Sequence, residues 1–403
     1  DLALAGVGVC GPILTMIGAF SSLIGVGGAP LLGIRLGEKN EKEASRILAN
    51  AFLMLVSLSL VLTAAALFFT RPMLMAFGAS TVTYPYARAY FMIYVSGSVF
   101  ALLSTGLNQF VICQGFASEG MKSVLLGAIL NLLLDPVFIF VLHLGVRGAA
   151  LATLIGRVFA AVFILWQNQD LHNPLRVQRF ADLRPRRRPI MQILSIGIPS
   201  GLENGMFQIG KLSVSSLVST FGTAAIAANS VANSVTMFAN IPGNAIGMAM
   251  ITVIGQCIGA KKPDEAKRYG KKLMFIAYAG ILATNIVMTI VAVPVVGLFH
   301  LSPEATKTGL SLIHCFSIVA IFIWPLSFTM PNALRAAGDA KYTMMVSIFS
   351  MWAFRVGSSY LLGGTLGLGV LGVWFGMFID WGFRSLAFLI RFIRGKWTQK
   401  AVI

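Results

Sequence analysis

Asp135 lies in NLLLDPVF (131–138), inside an apolar stretch that runs from about Ser123 to His143. A carboxylate at mid-bilayer costs about 3 kcal/mol or more, so it must be neutralised, partnered or in contact with water. Asn131 precedes it by one helical turn and shares its face. Thr153 stands on the next apolar run, and the two acceptors are eight and six residues from the outer ends of their runs. At 1.5 Å per residue those depths are roughly 12 Å and 9 Å, close enough for contact. Pro136 removes one backbone hydrogen bond and so frees a nearby carbonyl. Burial favours the protonated acid, and a neighbouring cation favours the ionised one. Asn131, Asp135 and Thr153 therefore form a candidate site for H⁺ or Na⁺, with Asp135 as the group that would hold Na⁺. The competing reading is a helix-packing hydrogen bond from Asp135 to a Thr or Asn.

A second group of polar residues falls in the C-terminal half. Asn229, Asn233, Thr236, Asn240 and Asn244 recur at helical spacing and make one stripe, facing either a wet cavity or another helix. Met206, Phe207 and Met237 supply polarizable and aromatic surface suited to flat lipophilic cations, although such residues also serve plain packing. Asn229, Asn233, Asn240, Met206, Phe207 and Met237 are thus the candidate substrate-cavity residues. Asp380 and Arg384 are spaced i, i+4, which predicts an intrahelical ion pair. Glu203 is a further acid inside a span, with Lys211 two turns away. The basic residues within apolar runs, Arg157, Lys211, Arg355 and Arg384, form no cluster along the sequence. No run carries a nucleophile–base pair or a metal-ligand motif, and no phosphate-binding loop is present, so neither an enzyme nor a cofactor is expected. Cys10, Cys113, Cys257 and Cys315 lie in or beside apolar runs without ligand spacing and read as packing residues.

These residues are set in a chain of 403 residues that is 57% hydrophobic and 11% charged, with mean hydropathy +0.82. That composition defines a polytopic membrane protein. A hydrocarbon core of roughly 30 Å takes about 20 residues of helix, and eleven apolar runs qualify, near 3–34, 47–70, 86–112, 122–143, 148–167, 190–219, 223–258, 270–299, 306–333, 342–363 and 368–393. Their length and lack of alternation predict an all-α fold rather than a barrel. The net charge of +17 follows loop parity. One set of loops carries Arg35, Lys39, Lys42, Arg46, Lys122, Arg176 to Arg188, Lys261 to Lys272, Arg335, Lys341 and the C-terminal tail; the other carries Arg71, Arg88, Arg147 and Lys307. The rich set is expected on the cytoplasmic side of the inner membrane, with the C-terminus. The basic excess then reflects topology and anionic lipid, not nucleic acid. A monomer in the lipid bilayer is expected.

GIRLGEKNEKEASR (33–46) matches GQCIGAKKPDEAKR (255–268) at an offset of 222, and LGVRGAA (144–150) matches LGVLGVW (368–374) at nearly the same offset. The halves are parallel repeats of the kind found in transporters. The run at 190–219 has no counterpart after Asp1, so the expectation is a missing N-terminal helix and twelve spans, six plus six. Residues 1–167 form the expected N-terminal lobe, 168–189 a basic cytoplasmic linker and 190–403 the C-terminal lobe.

GVGGAPLLGIRLGEKN (25–40), NLLLDPVF, GVRGAALAT (145–153), IPGNAIGMAMITVIGQCIGAKK (241–262) and LRAAGDAKY (334–342) resemble the multidrug and toxic compound extrusion (MATE) family over nearly the whole chain. The resemblance implies two six-helix lobes, alternating access, and export of organic cations in exchange for Na⁺ or H⁺. It also assigns Asn131, Asp135 and Thr153 to the ion site, while the acid that the family carries in its first helix has no equivalent. A lipid-linked glycan flippase of related architecture is the alternative, which would need a cationic cavity for pyrophosphate.

Overall fold

The computed structural model describes residues 2–169 and 184–399, which are helical and contain no strand. The all-α expectation holds, but the count of eleven helices does not. Several apolar runs are broken into shorter helices, so the described residues form more than eleven. Eight are long and apolar enough to cross a membrane, or nine with one bent pair taken as a single span. The chain divides into two compact units, Asp1–Gly201 and Leu202–Ile403. Most of the expected linker, with Arg176 and Arg179, lies outside the described residues.

The first unit contains α1 (Leu2–Gly37), α2 (Glu41–Phe68), α3 (Thr70–Ala76), α4 (Tyr84–Ser96), α5 (Ser98–Cys113), α6 (Ala117–Pro136), α7 (Gly145–Gln169) and the start of α8 (Arg187–Ser219). Helix α1 packs on α2, α4 and α5, and α7 packs on α4, α5 and α6. Between α4 and α5 the axis bends by 56° at Gly97, where a Cβ would fall 1.8 Å from Leu154 of α7. Glycine at this position lets α7 approach the bend. The first half of α8 belongs here because it meets α1 backbone to backbone: a Cβ on Gly27 would lie 2.5 Å from the Ile193 carbonyl, and one on Gly197 2.5 Å from that of Leu23. Asn50 of α2 fixes its entry, accepting from the Arg186 amide at 2.8 Å.

The second unit contains the rest of α8 with α9 (Thr223–Ala239), α10 (Ile241–Gly259), α11 (Pro263–Gly297), α12 (Pro303–Trp324), α13 (Met330–Ala336), α14 (Ala340–Ser350), α15 (Gly357–Ser359) and α16 (Gly369–Arg394). Wide π-helical turns at Pro325–Thr329, Met351–Val356 and Tyr360–Thr365 join some of these segments. Pro242 helps to part α9 from α10, and Thr284 donates to the carbonyl of Ala239 at the break, at 2.8 Å. Gly372 and Gly376 on α16 admit Leu362 and Ser359 within 2.6 and 2.8 Å of a would-be Cβ. Asp380 and Arg384 continue that row at four-residue spacing, so the same close-packed face buries both charges.

The duplication is visible in the backbone. Helices α2 and α11 begin at Glu41 and Pro263, 222 positions apart, after turns in which Lys39 and Lys261 take the left-handed conformation at φ +57° and +59°. Gly78 and His300, at the same offset, are both left-handed as well.

Candidate functional site

In the first unit α6 and α7 cross at two glycines. A Cβ on Gly156 would stand 2.6 Å from the Gly127 carbonyl oxygen, so the backbones touch. Ser123 adds a hydrogen bond to the Ala160 carbonyl at 3.0 Å. One turn beyond the crossing Asn131 Nδ2 donates to Thr153 Oγ1 at 3.2 Å, and Thr153 donates to the Ala149 carbonyl at 3.0 Å. These two members of the expected trio are therefore in contact. They edge a cavity of about 380 Å³ whose polar lining includes Ser104, Asn108, Gln109 and Arg157. Asp135 is half-buried one turn further along α6 and hydrogen-bonds to neither partner; its Oδ1 is enclosed and makes no hydrogen bond. Directly after Pro136 the helix widens into a π turn, Val137–Val141. Tyr90 of α4 lies beside Thr153 and within electrostatic range of Asp135. Sequence reasoning missed Tyr90. No periodic signal marks it, because its place depends on the packing of α4 against α7.

The polar stripe of the second unit does not run along one helix, since α9 ends at Ala239 and α10 starts at Ile241. Asn229 accepts from Trp374 Nε1 at 2.9 Å and from Asn233 Nδ2 at 3.1 Å, which ties it to α16. Asn233 and Asn244 are exposed, Asn240 is half-buried with an unbonded Oδ1, and Thr236 is buried against its own helix. Met237 and the neighbouring Phe238 are exposed by 74% and 66%, whereas Met206 and Phe207 are half-buried.

The charged residues are arranged differently from their sequence spacing. Asp380 and Arg384 do not pair with each other. Asp380 accepts from Ser350 and faces Arg355 at 4.0 Å. Arg384 lies 3.9 Å from Glu203, which Arg335 holds at 2.7 Å. The i, i+4 pair is lost because α14, its following π turn and α8 each bring a nearer partner to α16. The expectation that the intramembrane basic residues do not cluster is also overturned. Lys211, Arg355 and Arg384 converge on the Phe207 ring, at 5.8, 5.4 and 5.9 Å from its centroid. Arg157, in the first unit, lines the cavity there.

The MatE family model matches residues 1–137 and 199–361, one block in each half. The chain belongs to the MATE family of membrane transporters and is not an enzyme. It is 28% identical over 412 residues to an uncharacterized transporter of Bacillus subtilis, YisQ, covering 100% of this chain and 89% of that one. It is 24% identical over 416 residues to a probable multidrug resistance protein, NorM, of Thermotoga maritima, covering 100% and 87%. The fold matches a MOP-superfamily transporter from Pyrococcus furiosus, described as having a binding pocket of reverse polarity, with a TM-score of 0.91 at 24% identity over 100% of this chain and 90% of that one.

Proposed function

We propose that the protein is a secondary active antiporter, expelling drug-like molecules in exchange for Na⁺ or H⁺ by alternating access. The observation that carries this reading is the enclosed, unbonded Oδ1 of Asp135. An acceptor left unpaired in an apolar layer is costly, and a proton or a small cation relieves that cost when it binds. Asn131, Thr153 and Tyr90 supply further oxygen atoms nearby. Binding there drives transport to the extent that it favours one state of the protein over the other. The matching basic turns of the two repeats, around Lys39 and Lys261, support a cytoplasmic side for both and a multi-pass position in the inner membrane.

Organic cations are the cargo that the family resemblance implies, and the multidrug name of the Thermotoga relative agrees with a lipophilic cargo. Exposed Met237 and Phe238 offer adaptable apolar surface for it. The flippase alternative gains from the gathering of Lys211, Arg355 and Arg384, which provides the basic cluster it needs.

Full-length protein reconstituted in vesicles tests the antiporter reading. Ethidium efflux is measured under an imposed Na⁺ or pH gradient, one at a time. Asp135→Asn is expected to remove the gradient-driven component, by tenfold or more, while the protein still inserts. Unchanged efflux in the variant overturns the assignment.

A further inference from the structure

Six ionisable side chains stand together in the second unit, and their charges do not balance. Glu203 is shared by Arg335 and Arg384, and Asp380 faces Arg355. Lys211 has no acid beside it among the described residues. Four cations thus answer to two acids, and the polar side chains around them, Ser347, Ser350 and Asn332, are neutral. Arg384 and Arg355 are only 3% and 8% exposed. Nε of Arg355 and both Nε and Nη1 of Arg384 are enclosed without a hydrogen bond. Excess positive charge and unmet donors at such a place are costly, and an anion relieves both.

The local backbone is unusual at the same place. Arg355 rides on the π turn Met351–Val356, and Arg384 donates to the Ser327 carbonyl of a second π turn, Pro325–Thr329, at 3.4 Å. Such turns concentrate at functional positions. An organic cation gains little from the Phe207 ring, because the protein's own cations already surround it. Guanidinium groups, by contrast, match the planar oxygen pairs of carboxylates and phosphates.

We propose that Lys211, Arg355 and Arg384 bind an anionic group of the cargo, a carboxylate or a phosphate, beside the Phe207 ring. Exposed Lys211 makes the first contact, and the ring carries the adjoining flat apolar part. That the bound molecule is cargo rests on the antiporter reading; that the site takes an anion does not.

The test is equilibrium binding to purified full-length protein in phosphatidylcholine nanodiscs, with no gradient applied. Carboxyfluorescein and rhodamine 6G share a ring system and differ in charge, and anisotropy reports each. Carboxyfluorescein is expected to bind, with affinity about tenfold weaker in Lys211→Gln, absent in Lys211→Glu and retained in Lys211→Arg. Rhodamine 6G is expected to bind no more weakly to Lys211→Glu than to the unaltered protein. Lys211 is exposed and pairs with no acid among the described residues, so Lys211→Gln and Lys211→Arg leave the ion pairs of the fold in place, and it is these two that separate a lost anion contact from a disturbed fold. No carboxyfluorescein binding, or equal binding to Lys211→Glu, overturns the proposal. Competition separates the sources of the anion. Displacement by farnesyl diphosphate far below the concentration needed of inorganic pyrophosphate indicates a lipid-linked group, and equal potency a water-soluble one. Binding without gradient-driven efflux leaves the site standing and removes the antiporter; ethidium efflux without anion binding does the reverse.

Discussion

Two acids within helices, Glu203 of α8 and Asp135 of α6, are held differently. Glu203 is 6% exposed, and its Oε1 is held by Arg335 and faces Arg384 while Oε2 makes no hydrogen bond, so the carboxylate as a whole has counter-charges beside it. Asp135 has an enclosed oxygen that nothing grips. Replacing each by its amide is therefore expected to have different effects. Glu203→Gln leaves Arg335 and Arg384 without their counter-charge and should destabilise the protein by about 3–5 kcal/mol, seen as a lower thermal midpoint in detergent. Asp135→Asn should leave that midpoint unchanged or raise it, while efflux is lost. Depth along consecutive spans predicted a contact between Asp135 and Thr153, whereas the hydrogen bond to Thr153 comes from Asn131, one turn away on the same face. The partners of Glu203, Asp380 and Arg384 were not legible in the sequence. Spacing reports which residues share a helix face, and here each of those faces is met by a charge from another helix.

At the scale of the element, hydropathy locates the apolar runs but is blind to where they break. The bend at Gly97, the gap at Asn240 and the π turns each fall within or at the edge of a run that hydropathy reads as continuous. Glycine contacts explain more than hydropathy does. The α6–α7 crossing is backbone against backbone, so a Cβ on Gly156 has nothing movable to displace. At Gly97 the obstacle is the tip of the Leu154 side chain. Gly156→Ala is thus expected to cost about 1–3 kcal/mol and to weaken efflux, with no single side-chain truncation restoring it. Gly97→Ala should be similarly harmful but recover substantially when Leu154→Ala is added. Thermal midpoints of the single and double variants measure the difference.

For the whole molecule, the duplication was the clearest statement in the sequence, and the paired left-handed lysines at 39 and 261 carry it into the backbone. The count of helices was less legible, because a run of apolar residues can be one helix or several. Parity of basic loops makes a prediction at this scale. In a background without the four native cysteines, a cysteine in place of Lys261 should react with a membrane-impermeant maleimide only after the cytoplasmic side is opened. A cysteine in place of Ser302 should react in intact cells. Labelling of both from the same side contradicts the orientation proposed here.

The backbone contact of α8 with Gly27 on α1 also bears on how this protein can be made. The internal repeat resumes in α8, yet the first half of that helix completes the first unit. A gene cut within residues 170–183 would separate the two repeats and still leave the upstream product unfinished, with a glycine-lined slot on α1 that its own residues cannot fill. Such a fragment would need the downstream polypeptide synthesised in the same cell, and without it would be a substrate for membrane proteolysis.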